Sequence, residues 1–123
     1  MDTPEAIALS QKFALIAEHW RPKVVARLNG QELKLAKFQG AFPWHVHANE
    51  NELFLVYRGV MQVEFRSHVV TLRAGEFCMV PKGREHRTLA EEEAEVLIFE
   101  PAATRNTGNV EDETFTAPNG VQI

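Results

Sequence analysis

The sequence predicts an all-β unit, an antiparallel sandwich or barrel, preceded by one helix and followed by an extended arm. Three observations lead there. Short apolar or alternating runs recur from Val24 to Glu100, turn-forming residues separate them at near-even spacing, and no second helical pattern intervenes. A chain of 123 residues is long enough for one core and too short for two. We therefore expect a single domain, with residues 1–22 as the helical segment, 24–100 as the barrel and 101–123 as the arm.

The helix is expected from Thr3 to about Trp20. Thr3 suits an N-cap, Pro4 the first helical position and Glu5 the positive end of the dipole. Leu9, Phe13, Ile16 and Trp20 recur at helical spacing as a narrow apolar stripe, and Pro22 ends the element. From Val24 the period becomes two. Val24–Leu28 and Gln31–Gln39 flank Asn29-Gly30, a pair that supplies the positive φ angles of a type I′ hairpin turn. Further strands are expected at Glu52–Tyr57, Val60–Phe65, Val69–Arg73, Glu76–Val80, His86–Ala90 and Glu95–Glu100, eight or nine in all. Met61, Val63 and Phe65 alternate with Gln62, Glu64 and Arg66, which gives that strand one dry and one wet face. Glu91–Glu93 reads as a solvated loop. From Pro101 the chain turns polar, with Val110, Phe115, Val121 and Ile123 as its apolar anchors. Such an arm lies over the barrel, lies over a neighbouring subunit, or is partly disordered.

Composition narrows the function. Apolar residues at 45% and charged residues at 24% are ordinary for a globular protein, and no apolar run approaches the ~20 residues of a membrane helix. The acidic start lacks the pattern of a signal peptide. A net charge of −4 argues against a nucleic-acid partner. The single cysteine, Cys78, excludes an internal disulfide, fits a reducing cytoplasm, and is read as a small core residue. A small molecule or another protein chain is the expected partner.

The chemistry concentrates in Trp44-His45-Val46-His47-Ala48-Asn49-Glu50-Asn51-Glu52. On a strand, His45 and His47 project from one face, about 6.6 Å apart at ~3.3 Å per residue, a workable separation for two imidazoles on one ion. A carboxylate returns to them if the chain turns at Ala48-Asn49. Glu50 and Glu52 share strand parity. Glu52 is preferred because it opens the apolar run Leu53–Tyr57, which leaves Glu50 as a loop or supporting carboxylate. His86 follows the turn Pro81-Lys82-Gly83 and begins the next strand. His19 is expected to contact a helix end and His68 to be solvated in a turn. Phe38, Phe42, Trp44, Phe54 and Met79 are candidates to line the barrel mouth, though each taken singly is better read as core. Lys82, Arg84 and Arg87 are a lesser candidate for attracting an anion.

Together these residues resemble the paired motifs of a small single-domain cupin. The first motif is matched by Gly40, His45, His47, Glu52 and Gly59, the second by Gly75, Pro81, Gly83 and His86. Four residues rather than five separate Gly40 from His45, and Ala90 stands where an Asn is common; neither departure touches a ligand. The resemblance covers roughly Lys34 to Glu100. It implies a double-stranded β-helix, or jelly-roll, barrel, a homodimer, and a metal held by His45, His47, Glu52 and His86. Three imidazoles and a carboxylate suit Fe, Mn, Ni, Co or Zn and suit Mg or Ca poorly. Small cupins of this kind often carry a mannose-6-phosphate-isomerase-like label. The resemblance leaves open a metalloenzyme of isomerase-like, epimerase-like, decarboxylase-like or dioxygenase-like chemistry, a ligand-binding or sensing module, and a structural staple.

Overall fold

In a computed structural model of the chain, which describes residues 4–123, seven strands follow one short helix. They are β1 (Lys23–Leu28), β2 (Gln31–Ala41), β3 (Glu52–Arg58), β4 (Val60–Phe65), β5 (Val69–Arg73), β6 (Phe77–Val80) and β7 (His86–Pro101), after α1 (Leu9–Phe13). All named strand pairs are antiparallel. The order β1-β2-β7-β3-β6 forms one run, and β4 joins β7 to β5. The antiparallel all-β prediction holds.

β7 is the hinge of the architecture. One edge of it pairs with β2 along nearly its full length, while the other pairs first with β4 and then with β3. Switching partners bends the strand, and a bulge on β7 absorbs the bend: Ala90 faces Gly40 and Ala94 faces Phe38, which leaves Glu91–Glu93 as the extra residues. Glu91–Glu93 therefore sit within β7 rather than in a loop, exposed where the strand passes between its two partners. A run of three charges imitates a turn in sequence, yet pairing with β2 on either side of it, at Ala90 and Ala94, keeps the strand continuous.

The inner face holds one continuous core: Ala36, Phe38, Phe54, Val56, Met61, Val63, Phe65, Leu72, Val80, Val96 and Ile98 are all buried. Burying such side chains supplies the main favourable term, about 25 cal/mol per Å² of apolar surface. Met61, Val63 and Phe65 do point inward from β4, as their alternation predicts. Asn29 at φ 51° and Gly30 at φ 79° make the expected hairpin turn.

The helix is shorter than predicted. Its five residues begin after Ala8, which lends no side-chain cap, and the expected N-cap Thr3 lies outside the described residues. Beyond Phe13 the chain stays close to the sheet because Phe13 and Ile16 pack on Leu35, on the outer side of β2, and Phe13 stacks on Tyr57 at 5.3 Å. Trp20 then leaves helical geometry altogether, with φ +63°. Its N–H donates to the Lys37 carbonyl, which ties this segment to β2. His19 accordingly faces Glu93, at 2.8 Å, rather than a helix end.

The polar arm lies over its own barrel. The Val24 N–H donates to the Val121 carbonyl and the Ile123 N–H to the Val24 carbonyl, so the arm's end docks beside β1. Asn106 fastens its middle: the amide donates to the Trp20 and Phe115 carbonyls and accepts from the Ala117 N–H. Phe115 packs against Trp20 and Phe42, with ring centroids 4.7 and 5.3 Å away.

Candidate metal centre

Glu52 opens β3 with the same parity as Phe54 and Val56, so its carboxylate points into the barrel. His86 opens β7 with the parity of Thr88 and Ala90 and points inward too. The His-x-His pair departs from expectation in its backbone: Phe42–Asn51 is not a regular strand, and the chain bends at Ala48-Asn49. A single bridge joins it to β7, where the His45 and His86 N–H groups donate to one another's carbonyls at 2.9 and 3.0 Å. Alternation survives, so both imidazoles are buried and Val46 between them is half-buried. The turn carrying His86 is held to the same segment, because the Gly83 N–H donates to the His47 carbonyl at 2.8 Å.

Four donors converge as a result. One ligand atom from each of His45, His47, Glu52 and His86 lies within 4.8 Å of the other three, and all four residues are buried. A Glu52 oxygen is 3.4 Å from His47 Nε2 and 3.3 Å from His86 Nε2. Those separations are long for hydrogen bonds and close to the spacing of neighbouring ligands around a shared cation. The sequence thus brings together the residues its motif singles out. Glu50 is not among them; its side chain accepts from the Asn49 N–H in the loop.

Chemistry inside the cluster tests whether a metal fits. His45 Nδ1 donates to the Pro43 carbonyl at 2.8 Å and His86 Nδ1 to the Arg84 carbonyl at 2.9 Å. A carbonyl only accepts, so each ring carries its proton on Nδ1 and turns a lone pair on Nε2 into the cluster. Both nitrogens of His47, Nε2 of His86 and one oxygen of Glu52 are buried with no hydrogen-bond partner. Each such atom costs about 1–3 kcal/mol unless something satisfies it. A divalent cation would satisfy several at once, and the donor set suits a borderline transition metal.

The charge states agree with that fit. Burial, and then the neighbouring His86, lower the His45 pKa to about 4, which leaves this ring neutral and free to ligate at pH 7. Burial acts to raise the Glu52 carboxyl, but His47 and His86 outweigh it and hold it below the usual carboxylate range.

Against the cluster lies a small cavity of about 10 Å³, the room of a single water. Phe38, Phe42 and Phe54 line it, as does Trp20. Two other candidates for the mouth do not. Trp44 lies outside, beneath the Arg66 and Arg87 guanidinium groups at 3.8 and 5.1 Å, and Met79 is 57% exposed on β6. Arg87 also pairs with Glu64 at 3.1 Å, and neither it nor Lys82 nor Arg84 lines the cavity.

With this geometry in hand, the likeness to known proteins is specific. A family model described as a cupin domain matches residues 31–100, more than half of the chain. The chain belongs to the cupin domain family. A cupin-2 domain protein from Shewanella frigidimarina is 44% identical in sequence, with a TM-score of 0.76 over 77% of this chain and 93% of that one. Protein NMB1881 from Neisseria meningitidis is 32% identical, with a TM-score of 0.73 over 80% of this chain and all of that one. Among curated proteins, the uncharacterised YdbB of Bacillus subtilis is 34% identical over 65 residues, 52% of this chain and 58% of its own length.

Sequence reasoning missed two polar residues of this cupin's interior. Lys34 and Glu100 are buried and paired at 2.9 Å, and Glu100 reaches the cavity. Burial, and then the nearby Glu52 carboxylate, raise the Glu100 carboxyl well above its ordinary range, against the pull of Lys34. Alternation did carry the signal: Ala94, Val96, Ile98 and Glu100 share the inward parity of β7.

Proposed function

We propose that this cupin holds one divalent transition-metal ion on His45, His47, Glu52 and His86 and acts on a small molecule at the adjoining cavity. The observation that carries the reading is the convergence of four buried donors, several without any other partner. Such an ion would supply Lewis acidity at ligand positions the protein leaves open. The chain's own residues do the rest. His45 and His86 are oriented through their Nδ1 protons, Glu52 balances charge, and the aromatic walls of Phe38, Phe42 and Phe54 exclude water.

Isomerase-like and dioxygenase-like chemistry are the two reaction classes we put forward. A non-catalytic binding or sensing role is the second reading, and on either reading the water-sized cavity admits a ligand only with movement of the walls. A turnover screen on protein loaded with Fe(II) or Mn(II), against sugar phosphates, diketones and small phenolic acids with oxygen uptake recorded, separates the two. Turnover that disappears in Glu52→Gln supports the enzyme. Saturable binding without product supports the sensor.

We further propose that the chain works in the cytoplasm as a homodimer. Phe77 and Met79, 62% and 57% exposed on the edge strand β6, support contact with a second copy. Sedimentation of Phe77→Ser tests this: the dimer should weaken, and an unchanged dimer would remove β6 from it.

A further inference from the structure

The cavity beside the four donors contains polar atoms that the metal reading does not use. Trp20 Nε1 and Thr88 Oγ1 are buried without a hydrogen-bond partner, Glu100 Oε2 is buried with only the Glu52 carboxyl group to pair with, and all three residues line that cavity. Thr88 is 2% exposed and Glu100 1%. Interiors rarely leave even two polar groups unpaired on one void, because each forfeits its hydration.

Their chemistry describes what would satisfy them. An indole N–H only donates, so the ligand must offer an acceptor. Glu100 has its other oxygen on the Lys34 ammonium, and Thr88 both donates and accepts. A hydroxyl group, which both donates and accepts, suits each of these partners. Charge adds a second restriction. Two carboxyl groups, Glu52 and Glu100, border the cavity, and no lysine or arginine among the described residues lines it. Lys34, the nearest cation, is occupied by Glu100 at 2.9 Å, the Thr104 carbonyl at 3.5 Å and Glu32 at 3.7 Å. Apart from the cation itself, a phosphate dianion has nothing to pair with here.

Room is the third restriction, and Trp20 bears on it. Its wall of the cavity comes from outside the barrel strands, held at φ +63°, a left-handed conformation that costs a non-glycine residue about 1–2 kcal/mol. Hydrogen bonds to Lys37 and Asn106 and packing on Phe115 keep it there. A shift of this one side chain that keeps its N–H on the void enlarges it without breaking any strand pairing.

We propose that Trp20, Thr88 and Glu100 form the polar half of a ligand site for a small, uncharged hydroxy-carbonyl compound, bound hydroxyl-first with a second oxygen left for the cation. This inference rests on the metal-site reading and excludes phosphorylated sugars.

Binding of dihydroxyacetone, and separately of its phosphate ester, to Zn(II)-loaded protein by ligand-observed NMR tests it, with zinc content measured in every sample. We expect saturable binding of dihydroxyacetone and at least tenfold weaker binding of the ester. Thr88→Val, which removes one hydrogen-bonding group with little change of shape, and Trp20→Phe, which removes the N–H and trims the wall but keeps it aromatic, should each weaken dihydroxyacetone about tenfold at unchanged zinc content. No saturation by dihydroxyacetone, equal or tighter binding of the ester, or full affinity in both variants would overturn the proposal. Wild-type protein that retains no zinc would instead remove the metal-site reading beneath it.

Discussion

Replacing Lys34 by Met probes the buried charge group behind the site. The ammonium is 4% exposed, its Glu100 partner 1%, and their atoms are 2.9 Å apart. Glu32, 3% exposed, lies 3.7 Å away on the same ammonium and also accepts from Arg27 at 2.9 Å. Removing one member of a buried pair costs about 3–5 kcal/mol because a charge stays behind without a partner. The low end applies here, since Arg27 still serves Glu32 and the Glu100 carboxyl, already raised, can retain a proton. We therefore expect a loss of about 3 kcal/mol in urea unfolding of metal-free protein at pH 7. Lys34→Met with Glu100→Leu should recover most of that loss, because no charge is then stranded. A single variant within 0.5 kcal/mol of wild type would refute the argument. So would a double variant no more stable than the single one.

Two further outcomes follow from other parts of the site. Gly108, at φ +55°, lies against the segment that carries the histidines, and a Cβ there would run into the Val46 carbonyl oxygen. Next to it, Asn109 pairs with Val46 twice: its N–H donates to the Val46 carbonyl and its side-chain oxygen accepts from the Val46 N–H. Gly108→Ala should therefore cost at least about 2 kcal/mol and weaken metal retention, whereas an unchanged melting curve would show that the arm does not brace this segment. The second outcome concerns pH. His45 is lowered from 6.5 to about 4, so the unfolded chain binds its proton first as pH falls. The His45 contribution is complete above pH 6.5 and declines between 6.5 and 4, by on the order of 3 kcal/mol across the window. Metal-free wild type should lose that stability on acidification and His45→Gln should lose less of it; parallel pH profiles would contradict this.

Much of this arrangement was legible in the chain because it depends on local parity. Glu52 and His86 each open a strand, so alternation decides where they point, and Asn29-Gly30 specifies its turn by φ alone. Other features depend on partners distant in sequence. The end of α1 is set by packing of Phe13 and Ile16 on Leu35 and by the bond from Trp20 to Lys37, neither visible in a helical stripe. Glu91–Glu93 has the composition of a loop, and the pairing of its neighbours Ala90 and Ala94 with β2 carries the strand past it. Lys34 and Glu100 are 66 residues apart, and each alone resembles a solvent-facing charge. The arm's role as a brace rests on Asn106, Gly108 and Asn109 meeting backbone groups of Trp20 and Val46, contacts that composition does not encode.

The central claim is that four side chains share one cation. Elemental analysis of protein purified without chelator, for wild type, His47→Ala and Glu50→Gln, tests it most directly. The geometry predicts about one transition-metal ion per chain in wild type, the same in Glu50→Gln, and a loss of at least tenfold in His47→Ala. Equal metal content in wild type and His47→Ala would contradict it.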